Sequence, residues 1–278
     1  MIELYNTLSN RCSRITTSMY STSFSLGVTC LHSRLRDHIC AIYGFVRLAD
    51  EIVDSFHGFN KKDLLNRFEA ETYLAIDEKI SLNPILQSFQ ITVNKFKIER
   101  CLINEFLRSM EMDLYKTEYD SKEIKEYIVG SAEVVGLMCL RVFCESNNEL
   151  FDKLAYSARK LGSAFQKVNF LRDLNADYRE LGRNYFPTIR IDQWNICSKL
   201  DVEKSIEKDF DEALEGIKQL PRSSRLGVYA AYVYYRSLFR KIKKASPELI
   251  LQQRIRVPNT DKARLLAYSY LKHQLNLI

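Results

Sequence analysis

The sequence predicts an all-α protein, a single-domain helical bundle, and three observations carry that prediction. Apolar residues recur at helical spacing through long segments. Only nine Gly and five Pro punctuate 278 residues, and none of the alternating Val/Thr/Tyr runs that mark strands is present. Two pairs of aspartates, Asp50 with Asp54 and Asp173 with Asp177, stand at i and i+4 within helical pattern, a spacing that puts both carboxylates of a pair on one helix face.

In chain order the pattern predicts helices over 3–14, 34–55, 62–77, 84–95, 98–117, 122–145, 149–180, 201–219, 222–245 and 259–276. Helices 3–14, 62–77, 98–117, 122–145 and 201–219 rest on apolar periodicity that no Pro interrupts. Helix 34–55 is apolar on nearly its whole circumference (Ile39 to Ile42, Phe45, Val46, Leu48, Ala49, Ile52, Val53) except for the stripe Tyr43, Arg47, Asp50 and Asp54. Helix 149–180 carries a matching stripe of Gln166, Asn169, Asp173 and Asp177. Pro84 opens helix 84–95, Pro187 follows helix 149–180, Pro221 and Pro247 bracket helix 222–245, and Pro258 precedes the last helix. A chain of this length can bury one large core, and no repeat, low-complexity tract or linker divides it. Residues 1–278 are therefore expected to form a single domain.

Composition narrows the function. Seven cysteines are an odd number with no Cys-x-x-Cys pair, and no secretory apolar segment opens the chain, so a reducing, cytoplasmic setting is expected. His32, His38, His57 and His273 lack metal-ligand spacing. The uncharged apolar run from Leu226 to Tyr235 is about half of what a bilayer crossing needs. A net charge of +6 and the cluster Arg240, Lys241, Lys243 and Lys244 bring no stacking platform of interleaved aromatics, so nucleic acid is not expected as a partner. The cluster reads as a solvated helix side, with peripheral contact to an anionic membrane, at its inner face, as the alternative.

The two acidic stripes carry the chemistry. Fifteen Asp in 278 residues give roughly one i,i+4 pair by chance, so the surroundings decide. Carboxylates on a helix packed inside a bundle face a cavity, where uncompensated charge is costly. Two such helices facing each other would hold hard cations, and magnesium binds through one or two carboxylates, water and the phosphate oxygens of a substrate. The plainer alternative makes each stripe the wet side of an amphipathic helix, with Arg47 and Asp50 as an i,i+3 ion pair.

The runs Tyr20 to Leu26, Ala41 to Asp54 and Gly162 to Asp173, followed by Asp177 and Gly182-Arg183-Asn184-Tyr185-Phe186-Pro187, resemble the squalene and phytoene synthase family, most of all its bacterial-type phytoene synthases. The likeness extends from about residue 15 to residue 264. It implies an isoprenoid-synthase-type helical bundle around a central cavity, and a magnesium-dependent prenyltransferase, with manganese as the other candidate ion, that joins two isoprenoid diphosphates head to head through a cyclopropylcarbinyl diphosphate. By the same resemblance Asp50, Asp54, Asp173 and Asp177 hold the ions with Asn169 beside them, and Arg47, Arg172, Ser21 and Ser23 contact diphosphate. Phe24, Tyr43, Tyr127, Gln166 and Tyr234 then belong around the reaction centre. Read without the family, Arg47 and Arg172 are salt-bridge partners of nearby Asp, Ser21 and Ser23 are helix caps, and Tyr234 sits in a segment whose register can slip by one. Arg256 and Lys262 resemble a C-terminal basic element of the family and are left outside the catalytic set.

One departure is visible: the first acidic motif often reads Asp-Asp-x-x-Asp, whereas Glu51 stands second here. On a helix of 3.6 residues per turn it points about 100° from Asp50, so the site survives the change. Val28 and Cys40, small or medium residues on tunnel-lining segments of the family, leave room for a longer chain. The expected product is phytoene, made from two geranylgeranyl diphosphates for carotenoid biosynthesis without NADPH and followed by a desaturase. The alternatives are a squalene or dehydrosqualene synthase using farnesyl diphosphate, a non-catalytic assembly protein of the same fold, and a head-to-tail elongase or terpene cyclase.

Overall fold

Local sequence sets the helix boundaries seen in the computed structural model, which describes residues 1–180, 182–186 and 194–278; Pro187, expected as a boundary, lies outside them. The elements are α1 (Ile2–Tyr20), α2 (Thr22–Thr29), α3 (Ser33–Asp54), α4 (Lys61–Glu78), α5 (Pro84–Phe96), α6 (Arg100–Tyr115), α7 (Glu123–Ile128), a π-helical turn (Val129–Glu133), α8 (Val134–Phe143), α9 (Asn148–Glu180), α10 (Ile196–Gln219), α11 (Arg222–Lys244), α12 (Pro247–Ile250) and α13 (Asn259–Gln274). Asn60, Asn83 and Asn195 cap α4, α5 and α10 by accepting from their first-turn amides. Pro84 and Pro247 stand in first turns, where the missing N–H costs nothing. Among the described residues helix is the regular secondary structure, with one isolated bridge pairing Glu118 and Asn184.

Several boundaries depart from expectation: α10 begins at Ile196, ahead of 201, where Asn195 caps it, α12 is an additional helix, and three more have physical reasons of their own. The first helix runs on to Tyr20, with the hydroxyls of Thr16, Thr17 and Ser18 satisfied by the carbonyls of Cys12, Ser13 and Ile15 and so not competing for backbone amides. Ser21 then caps a further helix, α2, by accepting from the Phe24 amide at 3.1 Å. The continuous helix expected over 122–145 is broken by the π turn at Val129–Glu133, where α6 approaches so closely that a Cβ on Gly130 would lie 2.5 Å from the Glu105 carbonyl oxygen.

Two apolar clusters organise the packing. The first joins α3, α4, α5, α6 and α8 around Phe45, whose ring stacks on Phe89 at 3.9 Å and meets Phe106 at 5.3 Å. The second joins α9, α10 and α11 with the aromatics of 119–127 and 185–186. Residues of α2, α3, α8, α9, α10 and α11 leave a cavity of about 280 Å³ between them. Small residues line much of it: Gly27, Gly136, Gly162, Gly216, Gly227, Ala132, Ala158 and Ala231.

Candidate active site

The last turns of α3 bring Asp50, Glu51 and Asp54 to one end of the molecule, and α9 brings Asp173 and Asp177 to the same place. Their electrostatics show the two helices within mutual range. The Asp50 carboxyl is pushed up to about 6 by burial and then by the charge of Asp54. Asp177 rises to about 7 through burial, the charge of Asp173, and that of Asp54 across on α3. The Asp50 side chain is 35% exposed, so this carboxyl keeps contact with solvent while protein encloses most of it.

Arginines divide the negative charge. Arg47 donates through Nη1 to Asp50 at 2.9 Å and also pairs with Glu51, while its guanidinium lies 4.3 Å above the Tyr20 ring. Its Nε is buried without an acceptor. Arg172 donates through Nε to Asp173 at 3.0 Å, and Arg254 approaches the same carboxylate at 2.6 Å. Both alternatives drawn from sequence alone, ion pairing for the arginines and capping for Ser21, therefore describe real contacts. Ser23 is half-buried in the first turn of α2.

Sequence reasoning quoted Arg183 without giving it a role, and the structure makes it central. Its Nη1 donates to Asp54 at 2.8 Å, its Nη2 to the Asp113 carbonyl at 2.9 Å, and its backbone N–H to the Asp177 carbonyl at 2.9 Å. One residue thus touches both acidic helices. The Asp113 carboxyl lies 3.7 Å from the same guanidinium and accepts from the hydroxyls of Tyr119 at 3.0 Å and Tyr127 at 2.8 Å. Burial drives it up to about 7. Burial, with Asp113's charge second, also holds the Tyr127 hydroxyl far above its ordinary range. Asp113 had a readable signal: it continues the apolar stripe Phe106, Met110 of α6, where a charge is out of place.

Phe24, Tyr43, Gln166 and Asn169 line the cavity, as does Val28. Phe24 stacks on Tyr43 at 4.8 Å, and burial raises the Tyr43 hydroxyl to about 12. Tyr127 sits apart from this wall in the Tyr119, Tyr185 and Phe170 stack. On α11 it is Tyr235 that faces the cavity: its ring stacks on Phe165 at 3.9 Å and its hydroxyl donates to Asn169 Oδ1 at 3.3 Å. Tyr234 meets Tyr235 edge-on at 5.6 Å and lies 5.9 Å from the Lys262 ammonium. Lys262 in turn donates to Thr22 at 2.9 Å, tying α13 to α2. Cys40 packs in the first apolar cluster and is not among the lining residues.

The donor set suits a hard cation. It is all oxygen, from Asp50, Asp54, Asp173, Asp177 and the Asn169 amide, and the crowding that raises Asp50 and Asp177 is what a divalent ion relieves. Among the described residues no three acidic, His or Cys side chains already form a closed cage. An ion that keeps water and takes phosphate oxygens from its guest needs none.

Comparison with known proteins shows what the whole chain is similar to. Residues 17–261 match the family model described as squalene/phytoene synthase. The chain is 27% identical to the chloroplastic phytoene synthase 2 of Solanum lycopersicum, over 84% of this chain and 81% of that protein. It is 23% identical to a 4,4'-diapophytoene synthase of Staphylococcus haemolyticus, over 83% and 86%. Its fold superposes on a dehydrosqualene synthase crystal structure with a TM-score of 0.83, covering 96% of this chain and 98% of the other at 22% identity. The squalene synthase HpnC of Alicyclobacillus acidocaldarius follows with a TM-score of 0.74 over 85% and 93%, at 19% identity.

Proposed function

We propose that this chain, which belongs to the squalene/phytoene synthase family, acts as one catalytic domain that joins two molecules of geranylgeranyl diphosphate head to head to give phytoene and two diphosphates. The observation that carries the reading is a cluster of four carboxylates on the same two helices that supply Tyr43 and Asn169 to a cavity lined almost wholly by apolar and small side chains. A diphosphate head and a prenyl tail need these two environments side by side.

Asp50, Asp54, Asp173, Asp177 and Asn169 would hold magnesium or manganese, which when bound supplies positive charge to the departing diphosphate. The chain's own groups do the rest. Arg47, with an unsatisfied Nε, and Arg172 offer planar forks of donors for phosphate oxygens. Arg183 holds Asp54 at a fixed distance from the backbone of Asp177, so the two acidic helices keep their spacing. As the C–O bond of the first diphosphate breaks, the second double bond attacks the allylic cation and a proton is lost to give the cyclopropylcarbinyl diphosphate. Departure of the second diphosphate gives a cation that rearranges and loses another proton. Phe24, Tyr43, Phe165 and Tyr235 present ring faces and bulk where such cations must be shielded from water.

Chain length is read from the small residues along the cavity and from the phytoene synthases among the relatives. A product ending in deprotonation needs no nicotinamide, and a desaturase is the reaction class that would consume it. Purified protein given fifteen-carbon and twenty-carbon allylic diphosphates separately, with and without NADPH, is expected to turn over the twenty-carbon substrate faster and to ignore the reductant. Preference for the fifteen-carbon substrate, or a reduced product, would assign the chain to the dehydrosqualene or squalene branch instead.

A further inference from the structure

Helix α1 is turned inside out. Its buried stripe is Ser9, Ser13 and Thr17, at 0%, 0% and 2% exposure, with the Ser13 hydroxyl 2.6 Å from that of Ser88 on α5. The opposite face exposes Leu4, Leu8, Ile15 and Met19 at 77%, 50%, 57% and 76%. On a helix of about 100° per residue these four fall within roughly 60° of one another and nearly opposite the serines. A helix that needed only to pack on its bundle would carry the reverse pattern.

We propose that this face lies on an anionic lipid surface and presents the mouth of the cavity to it. Charge favours that occupant: the exposed Arg11 borders the stripe, Arg14 further round the same side is paired with Asp37, α1 carries a single acid, Glu3, and the chain is net +6. The stripe also leads into the candidate site. Met19 precedes Tyr20, whose ring lies under Arg47, and Ser21 caps α2, whose Phe24, Gly27 and Val28 line the cavity. An amphiphile whose tail is dissolved in a bilayer would meet the cavity at the end of the apolar stripe. Area disfavours a second copy of this chain. A 19-residue helix is about 28 Å long and its stripe roughly 10 Å wide, or about 300 Å², against the ~800 Å² per partner of a stable interface. Among the described residues no helix is long and apolar enough to cross a membrane, so the contact is peripheral.

The placement of the mouth rests on the proposed function, whereas lipid binding by the stripe does not, and the test separates the two. Vesicles of phosphatidylcholine with about a third phosphatidylglycerol are sedimented with the full chain and with the Leu8→Glu/Ile15→Glu double variant. Turnover is measured both on detergent-dispersed substrate and on substrate carried in the vesicles. The wild-type chain should co-sediment, and less so in high salt. The variant should bind at least about tenfold more weakly, match the wild-type melting temperature, keep its rate in detergent and lose rate on vesicles. Equal co-sedimentation of the two proteins, or no binding by either, overturns the lipid face. So does a wild-type dimer in sedimentation velocity that the variant breaks, which would give the stripe to a second copy. Lipid binding with no turnover in detergent leaves the lipid face standing and removes the enzymatic reading.

Discussion

At the scale of single residues the site is a balance of like and unlike charge. Burial and the neighbouring carboxylates raise Asp50 and Asp177, while Arg47, Arg172, Arg183 and Arg254 hold the remaining charge in place. Replacing one carboxylate by its amide changes little volume and removes the charge, and that charge matters most as diphosphate departs. Asp177→Asn and Asp54→Asn are each expected to lower kcat by about 10²-fold or more, with far-UV circular dichroism unchanged. Near-normal turnover in both would remove the two acidic stripes from the chemistry. Much of this set was legible, because i,i+4 and i,i+7 spacing needs only helicity to align side chains. Arg183 was not, since it lies in irregular chain where periodicity says nothing about partners. The same limit applies to Tyr234 and Tyr235: adjacent residues on a helix point about 100° apart, and only packing shows which one meets the cavity.

At the scale of elements, α9 packs tightly enough that its position is set by absent atoms. A Cβ on Gly162 would lie 2.5 Å from the Ala132 carbonyl oxygen and 2.9 Å from the carbon of that carbonyl, in the π turn. Helix propensity alone favours Ala over Gly by about 1 kcal/mol, but backbone atoms cannot rotate away, and overpacking of this kind costs about 1–3 kcal/mol. The clash should win. Gly162→Ala is expected to lower stability in urea unfolding by up to about 2 kcal/mol net and to slow turnover, because the helix that must shift also carries Asp173 and Asp177. A gain in stability would show that α9 has room to move. Most helices were readable from period and Pro placement. The π turn was not, because it sits where α6 comes close against Gly130, a tertiary contact that periodicity cannot show. Nor was α2, whose start depends on one hydroxyl, that of Ser21, accepting one amide.

At the scale of the whole molecule, the metal-free fold carries an electrostatic cost that depends on pH. In the folded chain Asp50 ionises near 6, and Asp113 and Asp177 near 7, against about 4 when unfolded. Between about pH 4 and pH 7 the folded state therefore holds more protons than the unfolded one, and stability from these groups is lost as pH rises through that window. The metal-free protein should melt at a higher temperature at pH 5.5 than at pH 7.5, and magnesium should raise the melting temperature more at pH 7.5, where the carboxylates are ionised. A melting temperature that climbs with pH in the absence of metal would contradict this account. All-helix architecture was legible from scarce Gly and Pro. The inverted α1 was not, because a moment calculated from sequence gives the apolar side of a helix but not which side the bundle takes.

The central claim is that two opposed carboxylate helices grip divalent ions against a prenyl diphosphate, and a crystal grown with manganese and an unreactive thio-substituted geranylgeranyl diphosphate tests it most directly. Anomalous scattering should place manganese between Asp50 and Asp54 on one side and Asp173 and Asp177 on the other, in contact with the diphosphate, with the prenyl tail running past Phe24 and Tyr235. Diphosphate bound elsewhere, or carboxylates turned to bulk solvent with no anomalous peak between them, would contradict it.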